Sequence, residues 1–371
     1  MPHSPSIIVT VFAFLLVLGP LVLVHELGHY LVGRWFGVKI DAFSIGFGKE
    51  LAGWNDRHGT RWKLSALPLG GYVQFAGDLN ATSMPGPADD GLSEAERARI
   101  FHFRPIWQRA LVVLAGPLTN LIVAVAIFAA FNLAYGRIEA SPVIAGFAPA
   151  SSAQAAGLRE GDRIVSIDGV AIDGFEDIRE RVLPYPGKTL SFIVARNDRQ
   201  SAFAVKVADH VVRDEFGNES HIGLIGVAAG KVRIVPVGPV ESVRLAFDQS
   251  FGMMRMMVTG IRQIVVGDRS VKELGGPIKI AKYSGEKFAL GWSQFTWFAA
   301  LISINLAFIN LLPIPALDGG HLAFYAAEAI RRKPLGARSQ AWAFRTGMAL
   351  VLALMLFVTL NDLASLRLFG G

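Results

Sequence analysis

The residues best suited to chemistry are His25, Glu26 and His29, in the run His25-Glu26-Leu27-Gly28-His29. Positions four apart share one helix face, about 6 Å along the axis. Two imidazoles so spaced can reach one metal ion, and Glu26, one step round the helix, can reach a water on it. This H-E-x-x-H pattern is that of a zinc hydrolase: two neutral imidazoles hold Zn2+ and the carboxylate takes a proton from water. The three groups end an apolar run, and ionisable groups at membrane depth are costly and mark function. A helix end at the headgroups, with these side chains in water, is the blander reading. Arg34 accords with it, but it leaves the spacing unexplained.

A third protein ligand is required. His58, His102, His210, His221 and His321 are available, as are acids near membrane depth. Asp318 is the strongest candidate. It closes an apolar stretch in Asn310-Leu311-Leu312-Pro313-Ile314-Pro315-Ala316-Leu317-Asp318-Gly319-Gly320, where two prolines and two glycines must break a helix. Unwound backbone at membrane depth is tolerated only beside protein or a water-filled cavity. A carboxylate there completes a His2Asp site with a position left for water. His321 competes for the same role. Taken alone, the segment reads more simply as an interfacial loop with Asp318 as a solvated cap.

The elements that must position these groups are apolar. Of the 371 residues, 52% are hydrophobic and 18% charged, with a mean hydropathy of +0.42. That excludes a disordered chain and argues against a soluble globule. The absence of cysteine excludes disulfide scaffolds, thiolate zinc ligands and thiol catalysis. Residues 7–24, 110–135, 288–317 and 346–361 carry no charge. A helix needs about 20 apolar residues to cross the hydrocarbon. The second and third stretches meet this alone. The first meets it by continuing to residue 36, and the fourth by extension through 341–344 past a snorkelling Arg345. No Lys or Arg precedes Arg34, so the first stretch lacks the basic start of a cleaved signal peptide and reads as a retained helix.

The first 33 residues contain no Lys or Arg, whereas residues 34–109 contain ten, and residues 331–345 add Arg331, Arg332, Lys333, Arg338 and Arg345. The positive-inside rule puts both basic loops in the cytoplasm and both termini and residues 137–287 outside. The net charge of +6 is thus mostly topology and requires no nucleic-acid partner.

Between the helices, residues 43–76 alternate short apolar runs with glycine and read as β-hairpins. Residues 79–100 read as a loop running into a surface helix, and residues 101–107 as an interfacial anchor. Residues 138–230 form a soluble unit, with a strand over 163–167 and a tight Asp168-Gly169 turn. A helix is expected at 175–183 and strands at 189–196, 201–208 and 222–228. Residues 239–265 carry apolar side chains at helical spacing among charges, as in an amphipathic helix lying on the outer membrane surface or packed under the soluble unit.

Together these motifs resemble the site-2 protease family of intramembrane zinc metalloproteases, peptidase family M50, in its bacterial RseP-like branch. The resemblance rests on His25-Glu26-Leu27-Gly28-His29, Gly116-Pro117-Leu118-Thr119-Asn120, and Asn310-x-x-Pro313-x-Pro315-x-x-Asp318-Gly319, in that order over nearly the whole chain. It implies that His25, His29 and Asp318 bind Zn2+, that Glu26 is the general base, and that Asn310, Pro313 and Pro315 hold substrate backbone. Asn305 matches a further position tied to substrate, with an interhelical hydrogen bond as the equal alternative. Asn120 is expected to pack or hydrogen-bond near the catalytic helix. Residues 149–169 resemble the start of a PDZ domain, and the insertion has room for one such domain, where some relatives carry two.

The fold class implied is a polytopic α-helical membrane protein with four transmembrane helices, a membrane-associated β-hairpin region and an inserted extracytoplasmic α+β PDZ domain. The segments expected are 1–36 (first helix), 37–105 (β-loop region), 106–136 (second helix), 137–230 (PDZ domain), 231–287 (amphipathic helix and linker), 288–330 (third helix and the Pro-rich segment), 331–345 (basic loop) and 346–371 (fourth helix and tail). The resemblance further implies a multi-pass protein of the bacterial inner membrane, embedded in the lipid bilayer. Its substrate would be a single-pass membrane protein, such as an anti-sigma factor or a remnant signal peptide, and the PDZ domain would bind a peptide or protein, or gate access. A non-catalytic scaffold and a zinc transporter are the rival readings; the intact Glu26 and the Pro-rich segment count against them.

Overall fold

The computed structural model describes residues 5–78, 93–197, 199–213, 219–230, 232–268, 270–333 and 335–365. Its elements run α1 (Ile7–Trp35), β1 (Ile40–Asn55), β2 (Arg61–Phe75), α2 (Glu94–Arg97), α3 (Ile106–Tyr135), β3 (Arg137–Ala140), β4 (Ile144–Phe147), α4 (Ser152–Ala155), β5 (Arg163–Ile167), β6 (Val170–Ala171) and α5 (Phe175–Val182). They continue β7 (Thr189–Arg196), β8 (Arg199–Lys206), β9 (Ala208–Arg213), β10 (Glu219–Leu224), β11 (Val227–Ala229), β12 (Val232–Val235), α6 (Pro239–Val266), α7 (Pro277–Ala289), α8 (Trp292–Leu311), α9 (Asp318–Arg331) and α10 (Ala337–Ser365). The chain divides into two compact units, residues 1–128 with 275–362, and residues 129–274 with 363–371.

Among the described residues, four helices are long and apolar enough to cross a membrane: α1, α3, α8 and α10. Each keeps its backbone bonds within itself, as the hydrocarbon demands. Ala13, Val17 and Leu21 of α1 pack on Phe295, Phe298 and Ile302 of α8. A second cluster joins Tyr30, Val38, Ile40, Phe43, Val73, Phe75, Phe101, Val112, Val113 and Tyr325.

Residues 40–75 fold as β1 and β2, which bend so that residues 50–55 pair antiparallel with 61–65 and residues 40–45 pair antiparallel with 71–75. The turn between β1 and β2 is organised by Asp56, which accepts bonds from His58 N at 2.8 Å and Thr60 N at 2.9 Å. Gly46 and Gly48, at φ of +89° and +87°, lie where β1 reverses direction, between the part that pairs antiparallel with residues 71–75 and the part that pairs antiparallel with residues 61–65. Several helical elements depart from the sequence expectations. The third apolar stretch is not one helix. Gly291, at φ +109°, separates α7 from α8, and α8 stops at Leu311. α10 starts at Ala337, well before residue 346, because Arg338 and Arg345 end the charge-free run without interrupting the hydrogen-bond ladder. The expected loop over 79–92 lies outside the described residues; α2 follows it behind a Ser93–Glu96 capping box.

The second unit holds a four-stranded sheet of order β6-β5-β7-β8 and the pairs β3–β12, β4–β11 and β9–β10. Asp168 and Gly169, at φ +47° and +76°, form the tight turn between β5 and β6. The core gathers Ile144, Leu158, Ile164, Ile178, Phe192, Val194 and Val205. The strand expected at 201–208 is interrupted at Val207 and resumes as β9, and the one expected at 222–228 divides into β10 and β11 around Gly226, at φ +70°. α6 buries Ser242, Ala246 and Ser250 and leaves Val240, Val265 and Val266 exposed.

Candidate metal centre

His25, Glu26 and His29 lie on α1, and Asp318 opens α9. The stretch between α8 and α9 is short and bent: Ile314 N donates to Leu312 O at 2.7 Å, Leu317 N donates to Ile314 O at 3.0 Å, and Ala316 takes φ +87°. A Cβ on Gly319 would collide with the Leu311 and Leu312 carbonyls, and one on Gly320 with that of Ile314. Only glycine lets the first turn of α9 fold back on this loop and present Asp318.

The result is a convergence of three ligand atoms. His25 Nε2 and His29 Nε2 are 3.3 Å apart, and Asp318 Oδ2 lies 3.2 Å from the first and 3.6 Å from the second. Asp318 Oδ2 is buried and accepts no hydrogen bond of good geometry. Bonds of about 2.0–2.1 Å in a tetrahedral shell separate zinc ligands by roughly 3.3 Å. The observed edges match that spacing, and a buried carboxylate oxygen facing two imidazole nitrogens is a donor set suited to Zn2+. His321 lines the same cavity one turn further along α9, but among the described residues the convergent set is His25, His29 and Asp318.

α3 supplies the surroundings. His29 Nδ1 donates to Val112 O at 2.9 Å, which leaves Nε2 as the lone pair. His25 Nδ1 is 3.2 Å from the side-chain amide of Asn120, which is fully buried. Gly116 faces both rings: a Cβ there would collide with His29 Nε2 and lie 2.9 Å from His25 Cε1. A Cβ on Gly28 would meet Ala115 and Thr119, so α1 and α3 cross closely at this level. α9 is tied to α3 by Arg109, 3.0 Å from Glu328 and stacked 4.7 Å over Tyr325.

A cavity of about 620 Å3 opens onto the centre, lined by His25, Glu26, His29, Asn310, Asp318 and His321, by hairpin residues Phe47 and Gly70–Val73, and by Phe344, Met348 and Val351 of α10. Glu26 and Asn310 therefore share it with the three ligand candidates. Asn305, Pro313 and Pro315 are not among its lining residues. Pro313 is exposed; Pro315 instead packs beneath Gly347 of α10. The Val112 carbonyl and the Arg109–Glu328 pair have no counterpart in the sequence reading: a carbonyl carries no residue identity, and the pair lies 219 positions apart.

The family model "Peptidase family M50" matches residues 13–354. The chain is 42% identical over 360 residues to a "Putative zinc metalloprotease" of Mesorhizobium japonicum, covering 95% of this chain and 98% of the relative. A protein of the same designation from Agrobacterium fabrum is 44% identical over 358 residues, covering 95% of each. The metalloprotease MmpA of Caulobacter vibrioides is 35% identical over 386 residues, covering 96% of each. Among solved structures, a PDZ domain of an SdrC-like protein from Listeria monocytogenes aligns with 19% identity and a TM-score of 0.19, covering 24% of this chain and 84% of that one. The chain belongs to peptidase family M50 and is a multi-pass membrane zinc metalloprotease.

Proposed function

We propose that this member of peptidase family M50 is an intramembrane endopeptidase, with zinc held by His25, His29 and Asp318 and with Glu26 as its general base. The observation that carries the reading is the meeting of those three ligand atoms, all within 4.8 Å of one another, in a cavity that Glu26 and Asn310 also line. Zinc bound there supplies Lewis acidity to the scissile carbonyl and lowers the pKa of water. The Glu26 carboxylate takes the proton of the attacking water and returns it to the leaving amide nitrogen. Asn310, which lines the cavity, offers its side-chain amide to substrate backbone, and the Pro313–Pro315 segment beside it helps hold that backbone near the metal. The apolar walls from α10 exclude bulk water.

The substrate is a single-pass membrane protein already shortened outside the bilayer. A helical substrate must unwind before its amide is accessible, and the bent β1–β2 pair beside the cavity offers strand pairing to hold it extended. We place the basic residues of 34–109 and 331–345 in the cytoplasm, with the termini and residues 137–230, read as a PDZ domain, outside. Cleavage then releases a cytoplasmic fragment, as regulated intramembrane proteolysis of an anti-sigma factor or clearance of remnant signal peptides requires. The PDZ domain binds a peptide or bars large ectodomains.

The test uses full-length protein in detergent with one single-span substrate lacking most of its ectodomain. Wild type is expected to hold one zinc and cleave. Glu26→Gln should keep zinc and lose about 10^2–10^4-fold in rate. Asp318→Ala should lose metal affinity. Cleavage surviving Glu26→Gln would overturn the mechanism.

A further inference from the structure

The two imidazoles of the centre are held differently at their outer nitrogens. His29 Nδ1 faces the Val112 carbonyl, a pure acceptor, so its proton sits on Nδ1 and Nε2 is free. His25 Nδ1 faces the carboxamide of Asn120, whose Nδ2 is the atom placed 3.2 Å away. The two orientations of a carboxamide fill the same space but have opposite consequences. With Nδ2 towards His25, ring Nδ1 must accept, and the proton moves to Nε2. That proton would point into the 3.2–3.6 Å triangle shared with His29 Nε2 and Asp318 Oδ2, where a metal has to sit. With Oδ1 towards His25, Nδ1 keeps the proton and both Nε2 lone pairs converge. As placed, with Nδ2 nearest the ring, Asn120 Oδ1 is buried without a partner, and turning the amide over gives that oxygen the His25 Nδ1–H.

We propose that Asn120 is a positioning residue for the metal centre: its Oδ1 accepts a hydrogen bond from His25 Nδ1–H and fixes the tautomer whose Nε2 binds zinc. It does for His25 what Val112 O does for His29. The residue is built for this task. Its side chain is fully buried, and its own carbonyl accepts a 2.7 Å bond from Ser303 Oγ of α8, which anchors that turn of α3. The inference rests on His25 being a zinc ligand.

The test measures zinc affinity by chelator competition on full-length protein in detergent, for wild type, Asn120→Asp, Asn120→Leu and His25→Ala. Partners in this position typically alter metal affinity about 10- to 100-fold. Asn120→Leu, which fills the space without an acceptor, should weaken zinc by that factor. Asn120→Asp, which keeps an acceptor, should stay close to wild type. Equal losses in both variants, or none in Asn120→Leu, would overturn the proposal and leave Asn120 as packing. An unchanged affinity in His25→Ala would instead remove the premise. A second readout needs no variant at this position. In 15N-histidine NMR of the zinc-loaded wild type, His25 Nδ1–H should be hydrogen-bonded and slow to exchange, like that of His29. A His25 Nδ1–H that lacks the downfield hydrogen-bond shift overturns the proposal even if Asn120→Leu does not fold.

Discussion

Gly116→Ala sets two effects of known sign against each other. In a helix interior, alanine is favoured over glycine by about 1 kcal/mol, so α3 itself should gain stability. The space in front of Gly116 is, however, filled by the two imidazoles: a Cβ would collide with His29 Nε2 and stand 2.9 Å from His25 Cε1. Non-bonded carbon contacts settle at about 3.5–4.0 Å, so the His29 ring would have to retreat by roughly 1 Å. Its Nδ1 is already pinned at 2.9 Å to the Val112 carbonyl, which blocks a simple rotation. A metal bond of about 2.0–2.1 Å tolerates deviations of only ~0.2 Å. Overpacking of this kind costs about 1–3 kcal/mol. Taken out of metal binding, that is roughly a 5- to 150-fold weaker zinc affinity. The assay is chelator competition together with a thermal melt and cleavage of a single-span substrate. Gly19→Ala is the control, since nothing lies within 4 Å of its added Cβ. Gly116→Ala should melt near or above wild type in the zinc-free state and yet bind zinc poorly. Wild-type zinc affinity and cleavage in Gly116→Ala would refute the geometry from which the argument starts.

Two further outcomes follow from charges away from the metal. Arg109→Met leaves Glu328 buried, 4% exposed, without its ion partner, and should cost about 3–5 kcal/mol in a denaturant or thermal melt, with part recovered in Arg109→Met/Glu328→Met. Asp162 accepts two 2.7 Å bonds from Arg196, and these charge-assisted bonds hold its carboxyl below the ordinary carboxylate range. Its folded pKa is therefore below its unfolded value of about 3.9, so its stabilisation is full above that pH and is lost as pH falls through the folded pKa. Asp162→Asn should melt below wild type near neutrality, and the gap should close in acid; a pH-independent gap would contradict the pairing.

What the sequence makes legible here depends on where the physical signal is stored. The His25-Glu26-x-x-His29 spacing is a local property of helix period and side-chain chemistry, so it can be read directly. Asp318 is 289 positions from His29, yet it too is readable. An acid and a helix break together at the end of an apolar run are costly near lipid unless a polar cavity receives them. The positions of α7, α8 and α10 are less readable. Absence of charge marks the part of a helix that lipid tolerates, whereas the helix ends where its hydrogen bonds stop, at Gly291 or Ala337. The β region is readable, because glycine signals positive φ, and β1 uses that freedom at Gly46 and Gly48 where it changes direction.

α3 is legible only at its Gly116-to-Asn120 motif, which puts Asn120 near the catalytic helix, and it is the part that organises the rest. Val112 O orients His29, Gly116 leaves room for both rings, and Asn120 faces His25. These positions are 112, 116 and 120, four apart, so they form one stripe along one face of the helix. Each contributes something that side-chain identity hides: a carbonyl, an absent side chain, and an amide whose orientation is decided by its neighbour. Arg109, three residues before Val112, extends the stripe to Glu328 and so fixes the helix that begins with Asp318. All three ligand-bearing side chains are thus located by reference to a single helix that contributes no ligand. A change on that stripe should reach the metal without touching it, and a change of similar size on the opposite, exposed face, at Leu111 or Leu118, should not.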